Sequence, residues 1–398
     1  MKYPFAAPLL VFFALGSTGS SSGVFSSASP SSTLLSSTLR KSGPWVMGYY
    51  MGYLADRQPP SKIDWKGLTH LAVGFFAPRA DGTLDAGLAP SAADRKLLVQ
   101  GARQNKRVVL ATLGGQDSGP MWYAATCCSE NGGAARATFI SSLKNLVKSE
   151  GYDGLDLDWE PLEPKDQPRL LELVKTLRKE LPGKVLTFPA DGADNLNFPA
   201  NRAFYAQLAP LLDQLNLMTY GMAWDFEGWK TWHSSPLYGQ TPNTPTSVDL
   251  TVQSYLGAGI PAAKLGIGIG FYGICYGAPA KGPLEDTVGT KPGGAKLLAD
   301  DNDLSYANIV TQYAPLGTRK WDSSAKVPYL SFAKPSGPKG CTYLSYEDET
   351  SILEKGKYLR QKGLGGVILW NVNQGYIPGR VPTNPLLDAT RRAFLGGR

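Results

Sequence analysis

The sequence predicts a (β/α)8 TIM barrel, an α/β fold, with a small α+β insertion between strands 7 and 8. Three observations predict it. Eight short apolar runs recur along the chain, and helix-like patterns separate most of them. Strands alternating with helices imply parallel βα units. Eight such units spread over roughly 350 residues match the size of one closed barrel.

Taken in order, the strands are predicted at Trp45–Tyr50, Leu71–Phe76, Arg107–Leu113, Gly154–Glu160, Val185–Pro189, Gln214–Tyr220, Leu265–Tyr272 and Gly366–Asn371. Helices are predicted at Ser91–Asn105, Ala134–Glu150, Asp166–Glu180, Asn201–Leu212, Val248–Gly257 and Asp348–Lys362, with a last one at Asn384–Phe394. Between Tyr272 and Tyr346 the rhythm breaks. That stretch holds Gly, Pro, Tyr and β-like pieces such as "VPYLSF", and residues 273–345 are expected to form the insertion. The spaced glycines of "GIGIGFYG" open no helix as a dinucleotide loop would. They ease packing inside a barrel strand.

Composition narrows the function classes. The chain has 398 residues, a hydrophobic fraction of 42% and a charged fraction of 18%, enough apolar matter for a full core. Its net charge of +7 is scattered and forms no basic block, so nucleic-acid binding is unsupported. The N-terminus opens "MKYPFAAPLLVFFAL", a lysine and then an apolar run too short to span a bilayer. Residues 1–28 read as an export signal with an unclear cleavage point, residues 29–43 as a Ser-rich tail, and 44–398 as the catalytic barrel. The mature chain is therefore expected outside the cell, as a monomer with no membrane span. Cys127, Cys128, Cys275 and Cys341 allow three pairings. Adjacent cysteines rarely bridge, and Cys275–Cys341 is expected because the two bracket one segment. Their spacing fits no zinc motif.

The stretch "YDGLDLDWEP" carries the chemistry. Side chains alternate along a strand. Gly154, Asp156, Asp158 and Glu160 share one face, and Leu155, Leu157 and Trp159 share the other. In a barrel the apolar set packs outward on helices. The acidic set points inward and climbs to the C-terminal rim, where barrel active sites lie. Crowded, partly desolvated acids raise at least one pKa, and a carboxyl kept protonated near neutral pH is a general acid. Glu160, nearest the rim, is the expected donor. Asp158 orients or shares a proton, Asp156 supports it from below, and Asp153, of opposite parity, is structural. A calcium loop is not supported: counted from Asp153, its sixth and twelfth places hold Asp158 and Pro164. A Ser-His-Asp site would have to use His70 or His233, and no nucleophile elbow is present. His70 is expected to pack at the start of strand two. No cofactor and no metal is implied.

"DGLDLDWE" resembles the D-x-x-D-x-D-x-E signature of glycoside hydrolase family 18, the chitinases and their relatives. Further matches follow in order: "VMGYY", "THLAVGFF", "ATLGG" with Thr112 in place of Ser, "LNLMTYG", "WHSSPLYG", "LGIGIGFYG" and the segment ending "GGVILWN". The resemblance covers about residues 45 to 395. It implies Glu160, Asp158, Asp156 and Tyr220 as catalytic residues. It implies Tyr49, Phe75, Gly115, Met218, Asp225, Tyr272 and Trp370 as sugar-binding residues, with Trp370 as the floor. It also implies chitin or N-acetylglucosamine oligosaccharides as substrate, cut with retention by a substrate-assisted route, the exception among retaining glycosidases. Loop aromatics Trp122, Trp224, Trp229 and Trp232 are further stacking candidates.

Two departures stand out. Gly221 follows Tyr220 where the family often has Asp, and Ile274 stands where Arg is common. Asp225 or Asp191 is a candidate to replace the missing acid. Two other readings remain open. One is an endo-N-acetylglucosaminidase acting on glycoproteins or peptidoglycan. The other is a non-hydrolytic chitin-binding lectin, although such relatives usually lose the final Glu.

Overall fold

The computed structural model describes residues 43–127, 133–192 and 198–396. The expected signal segment, nearly all of the Ser-rich tail and Cys128 lie outside them.

In chain order the strands are β1 (Trp45–Met51), β2 (His70–Pro78), the two-residue β3 (Leu84–Asp85), β4 (Val108–Gly115), β5 (Gly154–Trp159), β6 (Val185–Asp191), β7 (Gln214–Met218) and β8 (Leu265–Gly270). The insertion then supplies β9 (Ile274–Tyr276), β10 (Leu297–Ala299), β11 (Thr318–Asp322), β12 (Val327–Ser336) and β13 (Cys341–Ser345), and the chain returns to the barrel as β14 (Gly366–Trp370). Strands β1, β2, β4, β5, β6, β7, β8 and β14 pair parallel in that order, and β14 pairs with β1 to close the ring. All eight predicted barrel strands are present, with ends shifted by one or two residues. Helices occupy the predicted intervals, and Ser91, Ser247, Asp348 and Asn384 each cap one by accepting a backbone N–H at its first turn. One helix, Gly119–Thr126, was not predicted. It opens on Gly-Pro and buries Trp122, Ala125 and Thr126, while its exposed positions carry Pro120, Met121 and Tyr123, so the sequence shows no polar–apolar alternation.

Strand parity sorts the core into two shells. Val46, Val73, Val109, Leu155, Leu157, Leu186, Leu215, Ile267 and Leu369 face outward and join the helices in one large cluster. Met47, Tyr49, Ala72, Leu110 and Ile368 face inward and form a separate one. The inner glycines make this possible. A Cβ on Gly366 would lie 2.3 Å from the Trp45 ring, and one on Gly268 would lie 2.7 Å from the Tyr220 ring. Trp45 thus plugs the bottom, its Nε1 donating to Asn216 Oδ1 at 3.1 Å. The glycines of "GIGIG" make room for aromatic rings inside the barrel. His70 begins β2, its ring set between Thr69 Oγ1 at 2.7 Å and Gln214 Nε2 at 3.2 Å.

The insertion forms a five-stranded sheet in the order β10, β9, β13, β12, β11. Cys275 and Cys341 are bonded to each other within it. Cys127 is also in a disulfide. Buried polar contacts fasten the sheet to the barrel. His233 sits between Asp322 at 3.0 Å and Tyr343 at 3.0 Å. Lys355, buried on the helix Glu349–Lys362, pairs with Glu347 and donates to Ser235 Oγ at 2.7 Å.

If the Trp45 plug organises the floor, Gly366→Ala should destabilise the protein by about 1–3 kcal/mol through overpacking. Urea denaturation measures this, and an unchanged midpoint would contradict the packing described.

Candidate active site

Every predicted catalytic side chain lies at or below the C-terminal mouth of the barrel. Asp156 is fully buried in mid-strand and accepts from Tyr49 Oη at 2.9 Å and Thr187 Oγ1 at 2.5 Å. Thr112 pairs in register with it from β4. Burial drives the Asp156 carboxyl up to about 6, while the Thr187 and Tyr49 hydrogen bonds pull the other way. Asp158 is one pleat higher. Its Oδ1 is buried and has no hydrogen-bond partner among the described residues. Burial first, and then the charge of Glu160, hold this carboxyl well above the usual range.

Glu160 follows the last residue of β5, and the Gly119 N–H binds its carbonyl at 2.8 Å. Burial pushes the Glu160 carboxyl up to about 7, with the charge of Asp191 the next cause. Asp158 and Glu160 also interact directly. Two raised carboxyls in contact cannot both ionise cheaply, so the pair titrates as a unit and keeps one proton near neutrality. Asp153, of opposite parity, accepts from the Val109 N–H at 2.9 Å and ties β5 to β4.

Aromatic rings line the mouth. Trp370 closes β14, with the Phe75 ring 5.9 Å away at 30° and the Tyr49 ring 5.3 Å away. Gly115 backs Phe75: a Cβ there would come within 2.7 Å of the ring. Tyr220 stands one pleat beyond Met218, edge-on to Tyr272 at 6.1 Å. Burial, then Tyr272 and the charges of Asp158 and Glu160, hold the Tyr220 phenol well above its ordinary value, so it remains a donor.

Some candidates sit elsewhere. Asp225 accepts from the Leu297 N–H at 3.2 Å, which commits it to the insertion. Trp122 is fully buried and stacks on Trp159 at 5.2 Å, and Trp232 is buried with its Nε1 bonded to Thr246 O. Neither Trp122 nor Trp232 has a free face for a ligand. Trp224 is 39% exposed and lies parallel to the exposed Phe226 at 5.2 Å, with Trp229 edge-on to Phe226.

The insertion adds a wall that sequence reasoning missed. Asp301 Oδ1 accepts from Trp370 Nε1 at 3.3 Å and from Gln374 Nε2 at 2.8 Å. No local pattern marks Asp301, because the contact joins points 69 residues apart.

An aromatic floor beneath a protonatable carboxyl, at the C-terminal mouth of a parallel barrel, is the apparatus of a glycoside-cleaving enzyme. The chain belongs to the glycosyl hydrolases family 18, whose family model matches residues 45–375. It is 26% identical over 353 residues to "Chitinase 1" of Aphanocladium album, covering 79% of this chain and 77% of that protein. It is 32% identical over 303 residues to "Chitinase A1" of Niallia circulans, covering 66% of this chain and 42% of that one. The Group IV chitinase of Ostrinia furnacalis, solved in complex with allosamidin, shares the fold. Its TM-score is 0.72 at 23% identity, over 87% of this chain and 98% of that chain. A family 18 N-acetylglucosaminidase from Paenibacillus barengoltzii superposes with a TM-score of 0.68 at 28% identity, over 88% and 99%.

A general acid works only while protonated. Since Glu160 is pushed up to about 7, kcat/KM for glycoside cleavage should fall as pH rises through that value. A pH–rate profile checks it, and a rate still flat at pH 9 would contradict the assignment.

Proposed function

We propose that this enzyme is a secreted chitinase that hydrolyses β-1,4 linkages between N-acetylglucosamine units, with retention and with help from the substrate's own amide. The observation that carries the reading is the Asp158–Glu160 pair. One carboxyl is raised to about 7 beside a second whose Oδ1 has no partner among the described residues. The first suits a proton donor, and the second suits a group that must receive a hydrogen bond from a ligand.

In this mechanism the sugar before the scissile bond lies on Trp370. Glu160 gives its proton to the glycosidic oxygen as the C1–O bond breaks. The acetamido carbonyl oxygen of the same sugar forms the new bond to C1 and yields a cyclic oxazolinium ion. Asp158 accepts the acetamido N–H and offsets the positive charge. Asp156 supports Asp158 from below, and the Tyr220 hydroxyl donates to the acetamido oxygen. Ionised Glu160 then takes a proton from water, which attacks C1 from the face the leaving group vacated, and the β configuration returns. The internal nucleophile arrives already positioned, so one acid and one orienting clamp suffice.

Two features support the substrate and the compartment. The relatives found by sequence, Chitinase 1 and Chitinase A1, are chitinases by name. The leader and the Cys275–Cys341 bond suit an oxidising, extracellular setting. The retained Glu160 weighs against a non-hydrolytic lectin.

Glu160→Gln should reduce turnover of a chromogenic N-acetylglucosamine oligomer by at least about 100-fold while leaving oligomer binding intact. Near-normal turnover would overturn the acid assignment. A fully deacetylated chitosan oligomer, which lacks the amide, should resist cleavage. Equal rates on the two polymers would exclude the substrate-assisted route.

A further inference from the structure

The position after Tyr220, where related sequences often carry an acid, is a glycine here and disfavours a side chain. Gly221 has φ +62°, and a Cβ on it would lie 2.8 Å from the Tyr272 hydroxyl. Backbone and neighbour both favour glycine. Besides Asp158 and Asp156 on its own strand, the proton donor then needs a further carboxylate from a position other than 221.

Strand β6 supplies one. Its register with β5 pairs Gly154 with Val185, Leu155 with Leu186 and Asp156 with Thr187. The pairing stops there; counted on four residues along each strand, Asp191, at the exposed end of β6, falls on the same rung as Glu160, just past the end of β5. Both residues share the inward parity of Asp156 and Thr187, which already touch through their side chains. From the other side Asp191 pairs with Met218, one pleat below Tyr220. Its carbonyl is anchored by Tyr255 Oη at 2.9 Å, so the end of the strand is held in place.

We propose that Asp191 is the positioning carboxylate that tunes the proton donor, standing in for the acid that position 221 lacks. The inference rests on Glu160 being the general acid. Other groups also face Glu160: Asp158 and Asp156 from β5, Asp117 from the loop after β4, and the phenols Tyr220 and Tyr272 from the ends of β7 and β8. Asp158 shares its interaction with Glu160 as one coupled pair, and beyond that pair the charge of Asp191 comes next after burial, with the sign that keeps the proton on. Asp225, the other candidate, turns one carboxylate oxygen to the Leu297 amide of the insertion and is not among the charges acting on Glu160.

The test is the pH dependence of kcat/KM in the full chain, for wild type, Asp191→Asn, Asp191→Glu and Asp191→Ser, on a chromogenic N-acetylglucosamine oligomer. Removing the negative charge makes ionised Glu160 easier to form. The alkaline limb of Asp191→Asn should move to lower pH by about half a unit or more. Asp191→Glu should restore most of the wild-type position, and Asp191→Ser should shift as Asn does. Unchanged melting temperatures, with the limb displaced, separate this role from a structural one. A limb that stays in place in both neutral variants overturns the inference while leaving Glu160 as the acid. Loss of the reading beneath it shows differently, as normal turnover in Glu160→Gln.

Discussion

The site depends on electrostatic crowding along one face of β5. Asp156, Asp158 and Glu160 succeed one another at every second residue, and burial is the leading cause of the rise in each. Left ionised, they would repel one another in a medium that screens poorly. The strand resolves this by keeping protons. Raising a glutamate to about 7 corresponds to on the order of 3 kcal/mol of differential interaction. That is a large share of the stability of an ordinary domain, which is about 5–15 kcal/mol. The opposite face holds the strand in place: Leu155, Leu157 and Trp159 are all buried against the outer helices, with Trp159 stacked on Trp122.

The rest of the barrel serves that arrangement. Glycines on β8 and β14 give up their own side chains so that Trp45 fills the floor and Tyr220 reaches the centre. Tyr49 from β1 across the barrel and Thr187 from the neighbouring β6 donate to Asp156, which fixes the deepest acid and leaves Asp158 less constrained. The insertion sheet closes one wall through Asp301, which bonds the Trp370 indole and Gln374 together. The family resemblance and the parity of one strand thus meet at the same few side chains.

Much of this was legible in the sequence because its signals are periodic and local. The alternation in "GLDLDWE" gives both faces of β5 directly, and parity, once a barrel is assumed, tells which face is inside. The glycines of "GIGIG" read correctly as packing devices, since their spacing of two matches the strand period. The helix at Gly119–Thr126 was not legible, because it is short and its exposed face carries Pro120, Met121 and Tyr123 in place of polar residues that would reveal its period. Trp122 and Trp232 look like surface aromatics in sequence, and only burial separates them from Trp224. A contact made across a long chain separation was invisible: Asp301 against Trp370. The tie between Asp225 and Leu297 likewise needs the insertion to be folded before it can be seen.

The most direct test of the account reads the proton itself. Glutamate labelled with 13C at the side-chain carboxyl, titrated by NMR in wild type and in Glu160→Gln for assignment, reports the ionisation of Glu160 without any substrate. The account predicts one resonance that titrates near 7, coupled to an aspartate on the same strand. A Glu160 signal that titrates in the ordinary carboxylate range, near 4.3, would contradict it.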